Sequence, residues 1–214
     1  MSDFSFPDIH THFYQRNSIS ILNAHSSLAS LHSRGIHPWL VDDNYTSRLN
    51  KLESELQHSH CVALGEIGLD KMCSVDFELQ QKVFIQQIEL SEKYKMPIII
   101  HCVRASNELF QIKKELKPSQ KWIWHGFNKV NLLYQTLATE IIPSFGEVVL
   151  INKSIQNEVI NLNSNLYLLE TDTSTFSIEA IYKKVSELRN QSLETIQNEQ
   201  LTNFTRIFTK WQIG

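Results

Sequence analysis

The stretch "CVALGEIG", residues 61–68, is apolar at almost every position before it reaches Gly68. A strand wetted on one face alternates polar with apolar residues. A near-continuous run instead marks a strand covered on both faces, the usual condition of a parallel sheet. Working outward, the same pattern recurs in "MPIIIHC" (96–102), "KWIWHGF" (121–127), "EIIPSFG" (140–146) and "LYLLETD" (166–172). Between these runs the apolar residues fall at helical spacing. Tyr45, Leu49, Leu52 and Leu56 form one stripe, and Phe77, Phe84 and Ile88 another behind a cap at Asp76. Leu109, Ile112 and Leu116 follow a cap at Ser106. Ile178, Ile181, Val185 and Leu188, then Phe204, Phe208 and Trp211, complete the series.

Alternating strands and helices predict an α/β fold with a parallel sheet. Upstream, "SISILNAH" (18–25) and "SLHSRGIHPW" (30–39) read as strands, with too few residues around them for full crossover helices. With "DIHTH" (8–12) the count reaches about eight, the barrel number. The expectation is a (β/α)8, TIM-barrel-like fold with shortened first crossovers, in one domain over residues 1–214. No internal repeat, low-complexity segment or linker interrupts it.

Composition narrows the class of protein. Of the 214 residues 42% are hydrophobic and 20% charged, as in a globular rather than a disordered chain. A net charge of −3 without a basic run argues against strong nonspecific attraction to nucleic acid, although bound cations would add local positive charge. No secretory signal or membrane span is expected. Cys61, Cys73 and Cys102 form neither a disulfide framework nor a zinc knuckle, and free thiols suit a cytoplasmic location.

In a parallel barrel the chemistry sits at the C-terminal ends of the strands. A strand has period two, so His10 and His12 point the same way, into the barrel. The other clear strands end in residues of the same kind: Glu66, His101, His125 and Asp172. A lone strand-end histidine is usually a hydrogen-bonded structural residue, and a lone acid can cap a turn. Six such residues on one edge would be costly to bury without a partner. Two divalent cations would satisfy them all. The mixed nitrogen and oxygen donors suit zinc, manganese, nickel or iron better than calcium, with magnesium also a candidate. Asp172 is the best placed to orient a water and take its proton. Glu170, deeper on the same strand face, reads as a buried hydrogen-bonding group. His25, His32, His58 and His60 read as surface or structural residues. Trp39, Met72, Phe127 and Phe176 flank the ligand strands and either close the rim or stack on unpaired bases. Lys71, Arg104, Lys129 and Lys153 are candidate phosphate contacts.

"DIHTH", "GIHPW", "GEIGLD", "PIIIHC", "HGF" and "LLETD", in this order, resemble the TatD family of metal-dependent deoxyribonucleases over nearly the whole chain. "IEAIYKKVSEL" and "LTNFTRIF" are similar to its closing helices. The resemblance implies that His10 and His12 hold one metal with Asp172, that Glu66 bridges, and that His101 and His125 hold the second. It also implies that His37 lies near the substrate phosphate. The expected activity is hydrolysis of DNA phosphodiesters at single-stranded ends or in short oligonucleotides, with no membrane association and no obligate protein partner. The chain departs from the family in a shorter stretch between "DIHTH" and "GIHP", in Val103 where arginine is frequent, and in lacking the proline after Asp172. Three other readings compete, one of them a phosphoesterase with a trinuclear site, which would need more histidines late in the chain, where none follows His125. An amidohydrolase of small substrates shares the H-x-H of the first strand, but many such enzymes bridge with a modified lysine, and no lysine ends a central strand here. A metal-binding barrel without turnover would keep the ligands and nothing else.

Overall fold

The computed structural model describes residues 6–13, 17–23 and 30–211. Eight strands lie in chain order around one sheet, each parallel to the next. They are β1 (Phe6–Thr11), β2 (Ser18–Asn23), β3 (His32–Arg34), β4 (Cys61–Asp70), β5 (Ile98–Val103), β6 (Trp122–Trp124), β7 (Ile141–Phe145) and β8 (Leu168–Leu169). The sheet closes on itself just past β8. Asp172 donates its N–H to the His10 carbonyl at 2.9 Å, and His12 donates to the Asp172 carbonyl at 3.0 Å. Eight parallel strands so closed make the expected barrel.

The helices are α1 (Tyr45–Glu55), α2 (Phe77–Tyr94), α3 (Ser106–Leu116), α4 (Leu133–Ala138), α5 (Val148–Ile151), α6 (Lys153–Asn161), α7 (Ile178–Arg189) and α8 (Leu193–Ile207). Among the described residues α1 is the first α-helix, and it comes only after β3. β1 nevertheless pairs parallel with β2, Phe6 opposite Ser18, across the connection 12–17. An ordinary parallel crossover takes a dozen residues or more, so the first units are abbreviated as the sequence predicts.

The main core packs the outer strand faces against the helices, with Trp122, Phe84, Phe145 and Tyr182 fully buried. A second cluster joins Ile9, Ile21, Ile99, Ile123 and Leu168 to Phe204 of α8 and to Phe208 just past its end. Asp76 caps α2 by accepting the Leu79 N–H at 2.8 Å, as expected. Ser106 does not cap α3. It is the first helical residue, because Arg104 adopts a positive φ of 52° and the turn leaves buried Ala105 at the cap position.

Gly68 is required by backbone geometry. Its φ is +146°, and a Cβ there would lie 1.9 Å from the carbonyl oxygen of His101, its register partner on β5. Gly68→Ala should therefore destabilise the fold by roughly 2–4 kcal/mol, from backbone strain and overpacking together. Urea unfolding checks this; a midpoint matching the wild type would show that the two strands can separate locally at no cost.

Candidate metal centre

Strand period, strand length and register shifts in β1 and β4 together decide which side chains reach the mouth. His10 on β1, Glu66 on β4 and His101 on β5 face inward near the C-terminal ends. His12, His37, His125 and Asp172 lie in the first residues beyond β1, β3, β6 and β8. The structure thus brings all six residues singled out as ligands to one mouth, with His37 among them. Their centre is the Glu66 carboxylate. Its Oε2 lies 3.5 Å from His10 Nε2 and 3.8 Å from His12 Nε2. Its Oε1 lies 2.7 Å from His125 Nε2, 2.9 Å from His101 Nδ1 and 3.4 Å from His37 Nε2. Asp172 Oδ1 sits opposite, 3.6 Å from His10 Nε2 and 3.5 Å from His12 Nε2.

Among the described residues three sets of donor atoms are close enough to share an ion, each within 4.8 Å: His10, His12 and Glu66; His37, Glu66 and His101; and His10, His125 and Asp172. His37, read from the sequence as a phosphate contact, stands in a ligand-type position. The buried groups fit a cation. His10 is fully buried and neither of its ring nitrogens has a hydrogen-bond partner; His125 Nδ1 and Glu170 Oε2 also lack one. Such orphaned groups are expensive in a protein interior. Burial alone would depress the His10 pKa, but Asp172 and Glu66 beside it outweigh that and raise it to about 10. The pair of carboxylates that holds a proton there would equally hold a metal. Burial would likewise raise the Glu66 carboxyl, yet four surrounding imidazoles keep it well below the usual carboxylate range. Asp172 is held low in the same way, burial being outweighed by His10 and His125. His125 is pushed down, by burial first and by the charge of His10 second.

Four supporting residues were not assigned a place here by sequence reasoning. Asn23 Nδ2 donates to Glu66 Oε2 at 3.1 Å. Asp70 Oδ2 lies 3.1 Å from His101 Nε2 and accepts the Trp39 indole N–H at 2.7 Å. Asp8, buried beneath the histidines, accepts the Thr171 N–H at 3.0 Å and its hydroxyl at 2.7 Å, which fixes the chain just before Asp172. Burial raises the Asp8 pKa to about 7. Glu170, read as a buried hydrogen-bonding group, accepts the Gly126 N–H, and burial pushes its pKa up to about 8.

Other sequence readings need adjustment. Phe127 is neither rim nor platform: it is fully buried against Trp124 and Phe145. Trp39, Met72 and Phe176 are exposed. Lys71 is tied to Glu108, whereas Arg104, Lys129 and Lys153 are exposed. His58 and His60 are on the surface, and His32 is buried with Nδ1 2.8 Å from the Ser30 carbonyl, both as expected; His25 lies outside the described residues.

A closed parallel barrel that gathers five imidazoles and two carboxylates at its C-terminal mouth has the architecture of the metal-dependent hydrolase barrels. Residues 10–209 match the family described as TatD related DNase, and the chain belongs to that family. Among curated relatives, it is 36% identical over 86 residues to the human 3'-5' RNA nuclease TATDN2, a match that covers 39% of this chain and 11% of that protein. It is 32% identical over 154 residues to an uncharacterized metal-dependent hydrolase of Mycoplasma genitalium, covering 65% of this chain and 58% of the relative. The chain thus spans less than two thirds of the length of these relatives. The crystal structure of YjjV, a TatD homologue of Escherichia coli K12, superposes with a TM-score of 0.81 at 21% identity, over 95% of this chain and 98% of that one. That likeness shows the barrel fold.

Proposed function

We propose that the chain is a binuclear metal-dependent phosphodiesterase that removes nucleotides from single-stranded DNA ends. The carrying observation is the division of labour at Glu66: one carboxylate oxygen faces His10 and His12, and the other faces His37, His101 and His125. A carboxylate so placed is suited to bridge two ions. His10, His12 and Asp172 would complete one site, and His101 and His125, with His37 beside them, the other. When bound, two divalent ions supply the positive charge that acidifies water and neutralises phosphate oxygens.

The chain's own residues do the rest. Asp172, at the mouth and kept ionised, orients the attacking water and accepts its proton. His37, with Nε2 facing the centre, can donate to a nonbridging phosphate oxygen where charge builds. Asn23 fixes the orientation of Glu66. Asp8 and Thr171 hold the backbone that presents Asp172.

End-directed action on single strands is supported by the charge balance. A groove for duplex DNA needs cations on both sides of the site. The net charge here is −3, and Lys71 is already paired with Glu108. The cysteines are free, in keeping with a reducing cytoplasm; no helix among the described residues is long and apolar enough to cross a membrane. RNA is the second reading, supported by the name of the human relative. One assay separates these readings: a labelled DNA single strand, its blunt duplex, a closed circle and an RNA strand of the same sequence, each with manganese. The DNA single strand should be degraded fastest, with moderate inhibition by salt. Efficient cutting of the circle rules out the end-directed model, and faster loss of the RNA moves the assignment to ribonuclease. If none of the four is hydrolysed, a small-substrate hydrolase or a barrel without turnover takes its place.

A further inference from the structure

We propose that Trp39 is a fixed stacking platform for one unpaired nucleobase of the strand entering the mouth, locked in place by Asp70. The inference rests on the phosphodiesterase reading and adds how the substrate is gripped beside the metal centre.

Trp39 lies two residues after His37, on the 3-10 turn Pro38–Leu40, and is 61% exposed. So much exposure of so large an apolar side chain rules out a mainly core-filling role. An exposed indole ordinarily moves among rotamers, but this one is pinned. Its Nε1–H donates to Asp70 Oδ2 at 2.7 Å, and its backbone N–H donates to His37 Nδ1 at 3.2 Å. Asp70 is itself immobilised. It is almost fully buried, and its Oδ1 accepts the Met72 N–H at 2.7 Å. Gln80 clamps its peptide from both sides, accepting the Asp70 N–H at 2.8 Å and donating to the Asp70 carbonyl at 3.0 Å. The ring is therefore rigidly joined to β4, the strand that carries Glu66.

The ring's position matches that use. Its centroid is 4.8 Å from that of His37 and 6.0 Å from that of His101, nearly perpendicular to both. It lines a cavity of about 360 Å³ that also contains Glu66 and Asp172, and Leu40, 46% exposed, extends the apolar wall. A strand whose phosphate sits at Glu66 and Asp172 would bring a neighbouring base onto this wall. Every base offers a π-face, so stacking there grips without reading sequence, and a ring already fixed loses little rotamer freedom on contact.

The test uses Trp39→Leu, which keeps an apolar side chain without a π-face, and Trp39→Phe, which keeps a smaller ring. Substrates are a labelled oligothymidylate and the same strand with abasic terminal residues, both with manganese. On the base-bearing strand Trp39→Leu should raise KM about tenfold with kcat within about twofold, and Trp39→Phe should fall between it and the wild type. On the abasic strand the wild type and Trp39→Leu should coincide. Binding gives a readout free of turnover: oligothymidylate should quench tryptophan fluorescence in the wild type, and that component should vanish in Trp39→Phe. Trp39-dependent quenching without hydrolysis of any strand would remove the nuclease reading and keep the platform. Hydrolysis with an unchanged KM in Trp39→Leu and no Trp39-dependent quenching would overturn the platform and keep the nuclease.

Discussion

Asp172→Asn should lower phosphodiester turnover by about a hundredfold or more while leaving the barrel closed. Asparagine has nearly the same shape but cannot take a proton from the attacking water. The substitution is gentle on the fold for two reasons. The hydrogen bonds that close the barrel at this residue use its backbone, the N–H to His10 and the carbonyl from His12, and both survive. Its φ of 53° lies in the left-handed region, which asparagine tolerates better than other non-glycine residues. Turnover is measured on the labelled single strand at saturating manganese, with thermal unfolding as the control. Turnover like that of the wild type would take Asp172 out of the reaction.

How much of this centre the sequence reveals depends on strand regularity. Where a run is regular, as in β5, period two carries His101 to the mouth without further information. β4 shifts register between Leu64 and Ile67, so Glu66 reaches the same mouth across a break in the ladder that the apolar run does not announce. The run 121–127 is less faithful. Only Trp122–Trp124 is strand, and the chain turns at Gly126 with a φ of 60°. That turn sends Phe127 into the core although its parity matches His125, so pattern alone leaves it at the mouth. The run 166–172 shortens to Leu168–Leu169 because its end leaves the regular ladder to bond with β1. Asn23 carries no local signal, being an amide that ends a weak strand; Asp70 closes the stretch "GEIGLD", but an acid before a loop does not by itself announce a partner. Their partners, Glu66 and Trp39, lie 43 and 31 positions away in the chain, and only barrel closure brings each pair together. The histidines were legible for the opposite reason. Imidazoles are uncommon at the ends of apolar strands, and several of them in register have little structural use.

His10→Ala/His12→Ala should abolish turnover and lower the number of bound cations. The two imidazoles are not equivalent. His12 is open at the rim, with Asn23 Nδ2 3.4 Å from its Nε2, and its loss alone leaves a space that water can enter. His10 is completely buried between Glu66, Asp172 and His125, whose ring centroid is 4.5 Å away. Its removal takes a donor from two of the three groups able to hold an ion, and His12 takes a second donor from one of them. The proposed second site, Glu66 with His101 and His125, contains neither residue, so the arrangement predicts a variant that retains about one ion rather than none. A single retained ion cannot flank the phosphate from both sides, and the geometry that sets water in line with phosphorus is lost with the other. The fold should persist, because the β1 backbone pairs with both of its neighbours and alanine leaves those bonds intact. Elemental analysis after gel filtration counts the ions, and circular dichroism checks the barrel. Two ions per folded chain in the double variant would refute the ligand assignment. Loss of every ion would instead mean that the sites are not separable, and that Glu66 bridges only when both sets of histidines are present.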